Sequence, residues 1–500
     1  MTGISRRAFL GSAVLTAAAT VAGCGSAERE AIDRLRRGFD GRLLLGGEAG
    51  WLDLALASAQ RYASTPRLIA DCASESDVRR AYAFAREHDW PFAVRGGGHS
   101  YAGFSCTDGL LICTRGLDRV EVNPRLGTIT VGAGALLGPM LESLRTSGAG
   151  LIIPVGRCNG VGIAGLTLGG GWGFWSRMHG LTADSLVSTR LMTPDGNIRR
   201  VGAGGEPDLF WALRGGGGGN FGINTSFTFR AVPVPQTVTV FQYMWMDQAV
   251  IADVIQAAMD LAASAPRELS MEPVTSPMLN FALADSDVPN PVKLTITGQF
   301  TGPKARFDQL IGPLITDTPP RSQESFETDF WTAHQYLADS TPVGWFSVDS
   351  GFMDRPLSRR QVEHTLDWAR RWPGTSVIPD SNWGFFSMGG AVSDVPSDAT
   401  AFFHRQAQFL VKLETTWDES DSPSETAEGL RWLDGFARDV RATGGLTGAY
   451  VNFGNRDLAD WARAYYGRNL ERLIEVKRRW DPEGAFRFPQ GIPLSLDAGG

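Results

Sequence analysis

The chain has 500 residues, enough for two or three domains with large cores. One fifth of the residues are charged and the formal net charge is −7, so there is no basic footprint and nucleic acid is not expected as a partner. Sixty glycines fall in clusters, and fifteen tryptophans fit either a core or a wide cleft whose aromatic faces stack on sugars or polycycles.

The first segment, "SRRAFLGSAVLTAAATVAGC", pairs Arg6 with Arg7 ahead of an apolar run of secretory length, too short for a permanent bilayer span. It resembles a bacterial twin-arginine signal. Its end, "VAGC", resembles a lipobox with Cys24 as the lipidated residue, which would tether the protein to a membrane. Valine at the first place leaves cleavage and release open. Residues 1–24 are therefore expected to direct export to the cell surface or beyond. Among the other cysteines no CxxC or Cys/His spacing suggests zinc, and no metal is expected. Cys72, Cys106 and Cys113 read as small buried apolar residues, with a Cys106–Cys113 disulfide left open.

Residues 26–60 read as a polar helical lead-in. "SESDVRRAYAFAREHDW" (74–90) predicts a helix, with Ser74 and Asp77 as its cap and Val78, Ala81, Tyr82 and Ala85 on one apolar face. "PFAV" is a strand. "RVEVN" and "TITVGAG" form a hairpin around Pro124–Gly127. "LLGPMLESLRTSG" is a helix, "LIIPVG" a strand, and "VPVPQ" (232–236) a linker. From there to about 445 a second unit mixes helix and strand without glycine clusters. The final segment starts as an amphipathic helix that stops near Asp481-Pro482.

Three glycine loops flank apolar strands: "RGGGHSYAG", "IPVGRCNGVGIAGLTLGGGWGF" and "RGGGGGNFGI". Bare backbone of this kind offers successive N–H groups to a pyrophosphate. Gly160-x-Gly162-x-x-Gly165 matches the dinucleotide fingerprint, but Gly169, Gly170 and Gly171 would break the helix that fingerprint must open, so a nicotinamide cofactor is rejected. His99 and Cys158 stand inside two of these loops. A neutral imidazole and a thiolate are the side chains able to attack the C8 methyl and C6 of a flavin, so the pair points to covalent attachment.

These residues resemble the berberine-bridge-enzyme-like flavoproteins of the p-cresol methylhydroxylase / vanillyl-alcohol oxidase superfamily, over about residues 60–500. The motifs that carry the likeness are "RGGGHSYAG", "GRCNGVGIAGLTLGGGWGFWSRMHGLTADSL", "GGNFGI", "GGAVSDVPSDATAFFHR" and the end from "YVNF" to "FPQGI". The resemblance implies an α+β, two-domain fold: an FAD-binding domain over 60–235, a substrate domain of antiparallel sheet backed by helices over 236–445, and a segment over 446–500 completing the first. It implies bicovalent FAD held through His99 and Cys158. The matching cofactor residues are Arg95, Gly96, Gly97, Gly98, Ser100 and Gly103 in the first loop. In the second they are Gly156, Val161, Gly162, Gly165, Gly169, Gly170, Gly171, Gly180 and Asp184. Gly219, Asn220, Gly222, Ile223 and Asn452 complete them.

The resemblance also implies a hydride-abstracting enzyme acting on a small-molecule alcohol. Val161, three residues after Cys158, occupies the family's oxygen gate and matches oxidases that reduce O2 to H2O2. A dehydrogenase with another acceptor, or a surface flavoprotein with little turnover, are the alternatives. The family's usual base is the second tyrosine of Tyr-x-Asn-Tyr, and here that place is Phe453. Lys412, at the family's other polar position, is the expected base if its pKa is depressed beside a flavin. It shares a strand face with Gln408, Leu410 and Glu414. Tyr450 is the second catalytic candidate.

Overall fold

The computed structural model describes residues 26–278, 290–340, 343–377, 382–443 and 445–496. Arg6, Arg7 and Cys24 lie outside them. The fold is α+β, built on a four-, a five- and a seven-stranded sheet.

The lead-in is helical only over Ser26–Arg36. Leu43 and Leu44 then enter a strand, Arg42–Leu44, and Trp51 and Ala55 anchor a short helix, Trp51–Ala55; all four are buried, so the apolar residues of this polar stretch are drawn into the core. Strand Arg42–Leu44 edges a sheet completed by Leu68–Asp71, Leu110–Cys113 and Phe92–Arg95 in that order. The last three run parallel. The two middle strands are buried throughout, as expected for parallel strands covered on both faces. Helix Glu75–Glu87 provides the crossover. Ser74 and Asp77 form its capping box, worth about 1 kcal/mol, and Val78, Ala81, Tyr82 and Ala85 are buried beneath it.

The five-stranded antiparallel sheet begins with the hairpin read around Pro124–Gly127, Val120–Asn123 against Thr128–Gly132. Ile223–Arg230, Leu186–Met192 and Ile198–Gly202 follow in spatial order. The expected strand "LIIPVG" is shorter than read. Only Leu151–Ile152 pairs, because Pro154 has no N–H for a ladder. Its partner is Val232–Pro233, so the supposed linker is clamped to the domain.

The seven-stranded antiparallel sheet is ordered Ser322–Thr328, Val238–Trp245, Val292–Phe300, Leu269–Pro277, Trp383–Ser387, Phe409–Trp417, Trp345–Met353. Helices Ile251–Ser264, Arg359–Arg370 and Pro423–Ala442 cover one face, against Met271, Phe385, Phe409, Val411 and Leu413. Side chains alternate across a strand, so the even-numbered residues of these central strands point the other way. Register confirms it: Lys412 pairs with Gly384, and Gly384 with Val274. Glu272, Phe386 and Lys412 thus share one face.

The C-terminal helix is broken. Trp461–Tyr466 ends at Gly467, whose φ is +50° and whose Cβ position lies 2.3 Å from the Phe403 ring; Leu470–Trp480 then resumes and stops at Asp481. No helix among the described residues is long and apolar enough to cross a membrane.

Candidate active site

Strand Phe92–Arg95 delivers the chain into Gly96, Gly97 and Gly98, and His99 follows at the wall of a cleft of about 360 Å³. The second glycine loop crosses the first. A Cβ on Gly97 would lie 2.4 Å from the amide nitrogen of Gly162, and a Cβ on Gly162 would lie 2.4 Å from that of Gly97. Only glycine permits this crossing. It brings Cys158 to His99, with Sγ 3.4 Å from Nε2. Burial lowers the His99 pKa to about 4, so the imidazole is neutral.

Gly96, Gly97, Gly98, His99, Ser100, Gly156, Cys158, Val161, Gly162, Gly165, Gly219, Asn220, Gly222 and Asn452 all line this cleft, as do Lys412 and Tyr450. The remaining expected residues stand behind it. Arg95 is buried and donates to Leu54 O (2.6 Å), Ala55 O (2.8 Å) and Ser105 O (3.0 Å), closing the end of helix Trp51–Ala55. Its guanidinium also reaches Cys106 Sγ, and Cys106 and Cys113 form no disulfide with each other. Gly103 gives room to Tyr62, Gly170 to Phe402, Gly171 to Thr182 and Gly180 to Asp184. Asp184 takes two bonds of 2.8 Å from the buried Arg405, and Ile223 is core. Gly169 makes space for Asn452: a Cβ there would meet Oδ1 at 2.0 Å.

The two expected catalytic side chains differ from expectation. Lys412 is paired with Glu414 at 2.6 Å. Burial alone would lower its pKa, but the Glu414 and Glu272 carboxylates override burial and hold the ammonium above its usual range. It is a fixed cation and not a proton acceptor. The Tyr450 oxygen receives Gly171 N–H (3.1 Å), Trp172 N–H (3.3 Å) and Asn452 Nδ2 (3.1 Å). Burial raises its pKa despite these donors, so Tyr450 braces the Gly171-Trp172 turn as a neutral phenol. Phe453 stacks on Tyr101, 5.6 Å between centroids.

Several cleft residues were not read from the sequence. Tyr101, Arg157, Trp172, Glu272, Asp339 and Phe386 all line the cleft. Arg157 lies 2.8 Å from Glu272 and 3.5 Å from Asp339. The one sequence signal was Glu272 itself, a lone carboxylate inside the strand "LSMEPVTSP".

The cleft suits a flavin nucleotide. Gly165 sits on its wall and a Cβ there would meet nothing within 4 Å, so the space it leaves open is not filled by protein. Gly217 and Gly219, with φ of +85° and +76°, present the third loop to the same cleft. The family models agree: "FAD binding domain" matches residues 66–202, and "Berberine and berberine like" matches 449–493. The uncharacterized FAD-linked oxidoreductase YgaK of Bacillus subtilis is 35% identical over 448 residues, covering 87% of this chain and 92% of that one. The chain belongs to the berberine-bridge-enzyme-like FAD-linked oxidoreductases. A carbohydrate oxidase from Microdochium nivale is 29% identical, covering 86% of this chain and 88% of its own. Among solved structures, glucooligosaccharide oxidase from Acremonium strictum, with a 6-S-cysteinyl, 8α-N1-histidyl FAD, superposes with a TM-score of 0.78. It is 25% identical and covers 93% of this chain and 99% of that one. This berberine-bridge-enzyme-like chain is an FAD-dependent oxidoreductase.

Proposed function

We propose that this oxidoreductase carries FAD bound through both His99 and Cys158, oxidises a hydroxyl of a sugar, glycoside or related natural product, and passes the electrons to O2. The observation that carries the reading is the 3.4 Å approach of Cys158 Sγ to His99 Nε2 at the crossing of two glycine loops. The carbohydrate oxidase and glucooligosaccharide oxidase relatives support the substrate class. One alcohol and one O2 give one carbonyl compound and one H2O2.

FAD, when bound, supplies the hydride acceptor and the route to O2. The chain does the rest. Backbone N–H groups of the Gly96–Gly98, Gly162–Gly165 and Gly217–Gly219 stretches would hold the cofactor's phosphates and ring. The neutral His99 imidazole has a lone pair available for attachment. Two covalent anchors keep the cofactor without deep burial, which leaves the cleft open for a bulky substrate. The Trp172 and Phe386 rings, 4.7 Å apart, line that opening and offer apolar faces to a sugar ring. Val161 lines the same cleft, at the position where the resemblance places the oxygen gate.

Export by the twin-arginine route, with release or a Cys24 tether, completes the reading. It rests on Arg6, Arg7 and Cys24. Replacing both arginines by lysine should strand flavin-loaded enzyme in the cytoplasm, and unchanged export would refute it. The activity is tested by peroxide release over a panel of xylobiose, cellobiose and coniferyl alcohol. Flavin that is reduced by a panel member but reoxidised only slowly by air would instead indicate a dehydrogenase.

A further inference from the structure

Oxidising an alcohol releases a proton as well as a hydride, and a side chain in the cleft must receive it. This inference rests on the hydroxyl-oxidation reading above. Phe453 has no ionisable group. Burial holds Tyr101 protonated, the Tyr450 oxygen already receives three donors, and Lys412 is held charged. Glu414 is engaged by Lys412 and does not line the cleft.

Glu272 is placed differently. It lies on strand Leu269–Pro277, on the face opposite the helices, and lines the cleft while only 6% exposed. Arg157 Nη2 approaches Oε2 to 2.8 Å, and this ion pair holds the carboxylate in place. A buried carboxylate held by a single guanidinium thus stands in the wall of the cleft that a substrate would enter.

The charged groups around it come from three elements. Arg157 comes from the loop before Cys158, Asp339 from the segment after helix Phe330–Leu337, and Lys412 from strand Phe409–Trp417. Its cross-strand neighbour Thr297 is uncharged, and so is Phe386 on the next strand. Burial raises the Glu272 carboxyl above the usual range; Arg157 and Lys412 oppose that without cancelling it, and Asp339 adds to it. A carboxyl shifted toward neutrality is a better proton acceptor than an exposed one.

We propose that Glu272 is the general base that takes the proton of the substrate hydroxyl. The O–H bond breaks and its proton bonds to a Glu272 carboxylate oxygen. The O–H electron pair becomes the second C–O bond of the carbonyl, as the carbon-bound hydrogen leaves with its own pair to the flavin. The proton passes to water once product departs. Arg157 is a positioning residue: it holds the base at 2.8 Å and is joined by a peptide bond to Cys158, so the residue that positions the base and the attachment point share one loop.

The test uses flavin-loaded protein mixed anaerobically with xylobiose, cellobiose and coniferyl alcohol. A compound that bleaches the wild type should bleach Glu272→Gln about a hundredfold more slowly or worse, with flavin content unchanged, while loss of the Arg157 ion pair is read separately as a lower melting temperature. Glu272→Asp should recover part of the rate. Independently of turnover, an infrared titration of the resting holoprotein should show a carboxyl band that titrates above the ordinary range and is missing from Glu272→Gln. Unchanged bleaching in Glu272→Gln, or no such band, overturns the proposal. A panel that leaves the wild type yellow counts against the oxidase reading, and the infrared band still decides on Glu272.

Discussion

Gly97 and Gly162 pass so closely that neither tolerates a Cβ: each would put one 2.4 Å from the other's amide nitrogen. The obstacle is backbone, which cannot swing aside as a side chain would. Gly97→Ala should therefore cost about 3 kcal/mol or more and part Cys158 from His99. Gly165→Ala is the control. Its Cβ meets no protein atom within 4 Å, so the chain should keep its stability while losing flavin content. Thermal melts and the ratio of flavin to protein absorbance check both. Equal stability of the two variants would contradict the crossing.

Lys477 locks the third loop from behind. Its Nζ donates to Asn220 O (2.6 Å), Phe486 O (2.6 Å) and Asp481 Oδ2 (2.7 Å), all buried. Lys477→Met leaves Asp481 as a buried, unpaired charge, an expected loss of about 3–5 kcal/mol. Chemical denaturation of the holoprotein measures it. A loss below about 1 kcal/mol would remove the latch.

His404 gives a pH dependence with a definite sign. Burial lowers its pKa to about 4, while Nε2 bonds Ala464 O at 2.9 Å and the ring stacks on Phe352. The unfolded chain binds this proton near pH ~6.5. The contribution is therefore full above pH ~6.5 and falls away through pH ~4, by about 3 kcal/mol. The melting temperature should drop over that window, and His404→Gln should drop less steeply. Parallel slopes would contradict this.

Lys412 is expected to stabilise and not to titrate in the working range. Its pKa is raised, so its contribution is complete below the ordinary lysine value of about 10.4 and is lost only as pH rises beyond it. Lys412→Met strands Glu414, whose side chain is 14% exposed, at a cost of about 3 kcal/mol. The melting gap to wild type should stay flat from about pH 6 to 9. A gap that closes near pH ~8 would mean a depressed lysine and would return the base role to Lys412.

What was legible in the sequence follows physical range. The Ser74 cap and the hairpin at Pro124–Gly127 are set by residues within a few positions of each other, and both form as read. His99 and Cys158 were legible because reactive side chains among bare glycines have few other uses. Arg95, Gly103 and Asp184 share those motifs but turn away from the cleft, since a motif fixes neighbours along the chain and not the direction each faces. Glu272 and Lys412 are 140 positions apart and meet only through the order of three strands, which periodicity does not encode. The lysine's state was misjudged for a local reason: burial was considered and the carboxylate two residues away was not.

The most direct measurement of the central claim is the intact mass of acid-denatured protein, with its supernatant checked for flavin. The expected mass is that of the apo-chain plus one FAD, with no flavin released. Cys158→Ala and His99→Ala should each keep the flavin through the remaining link, and the double variant should release it. Apo-chain mass with free flavin in the supernatant would contradict attachment at the 3.4 Å His99–Cys158 pair.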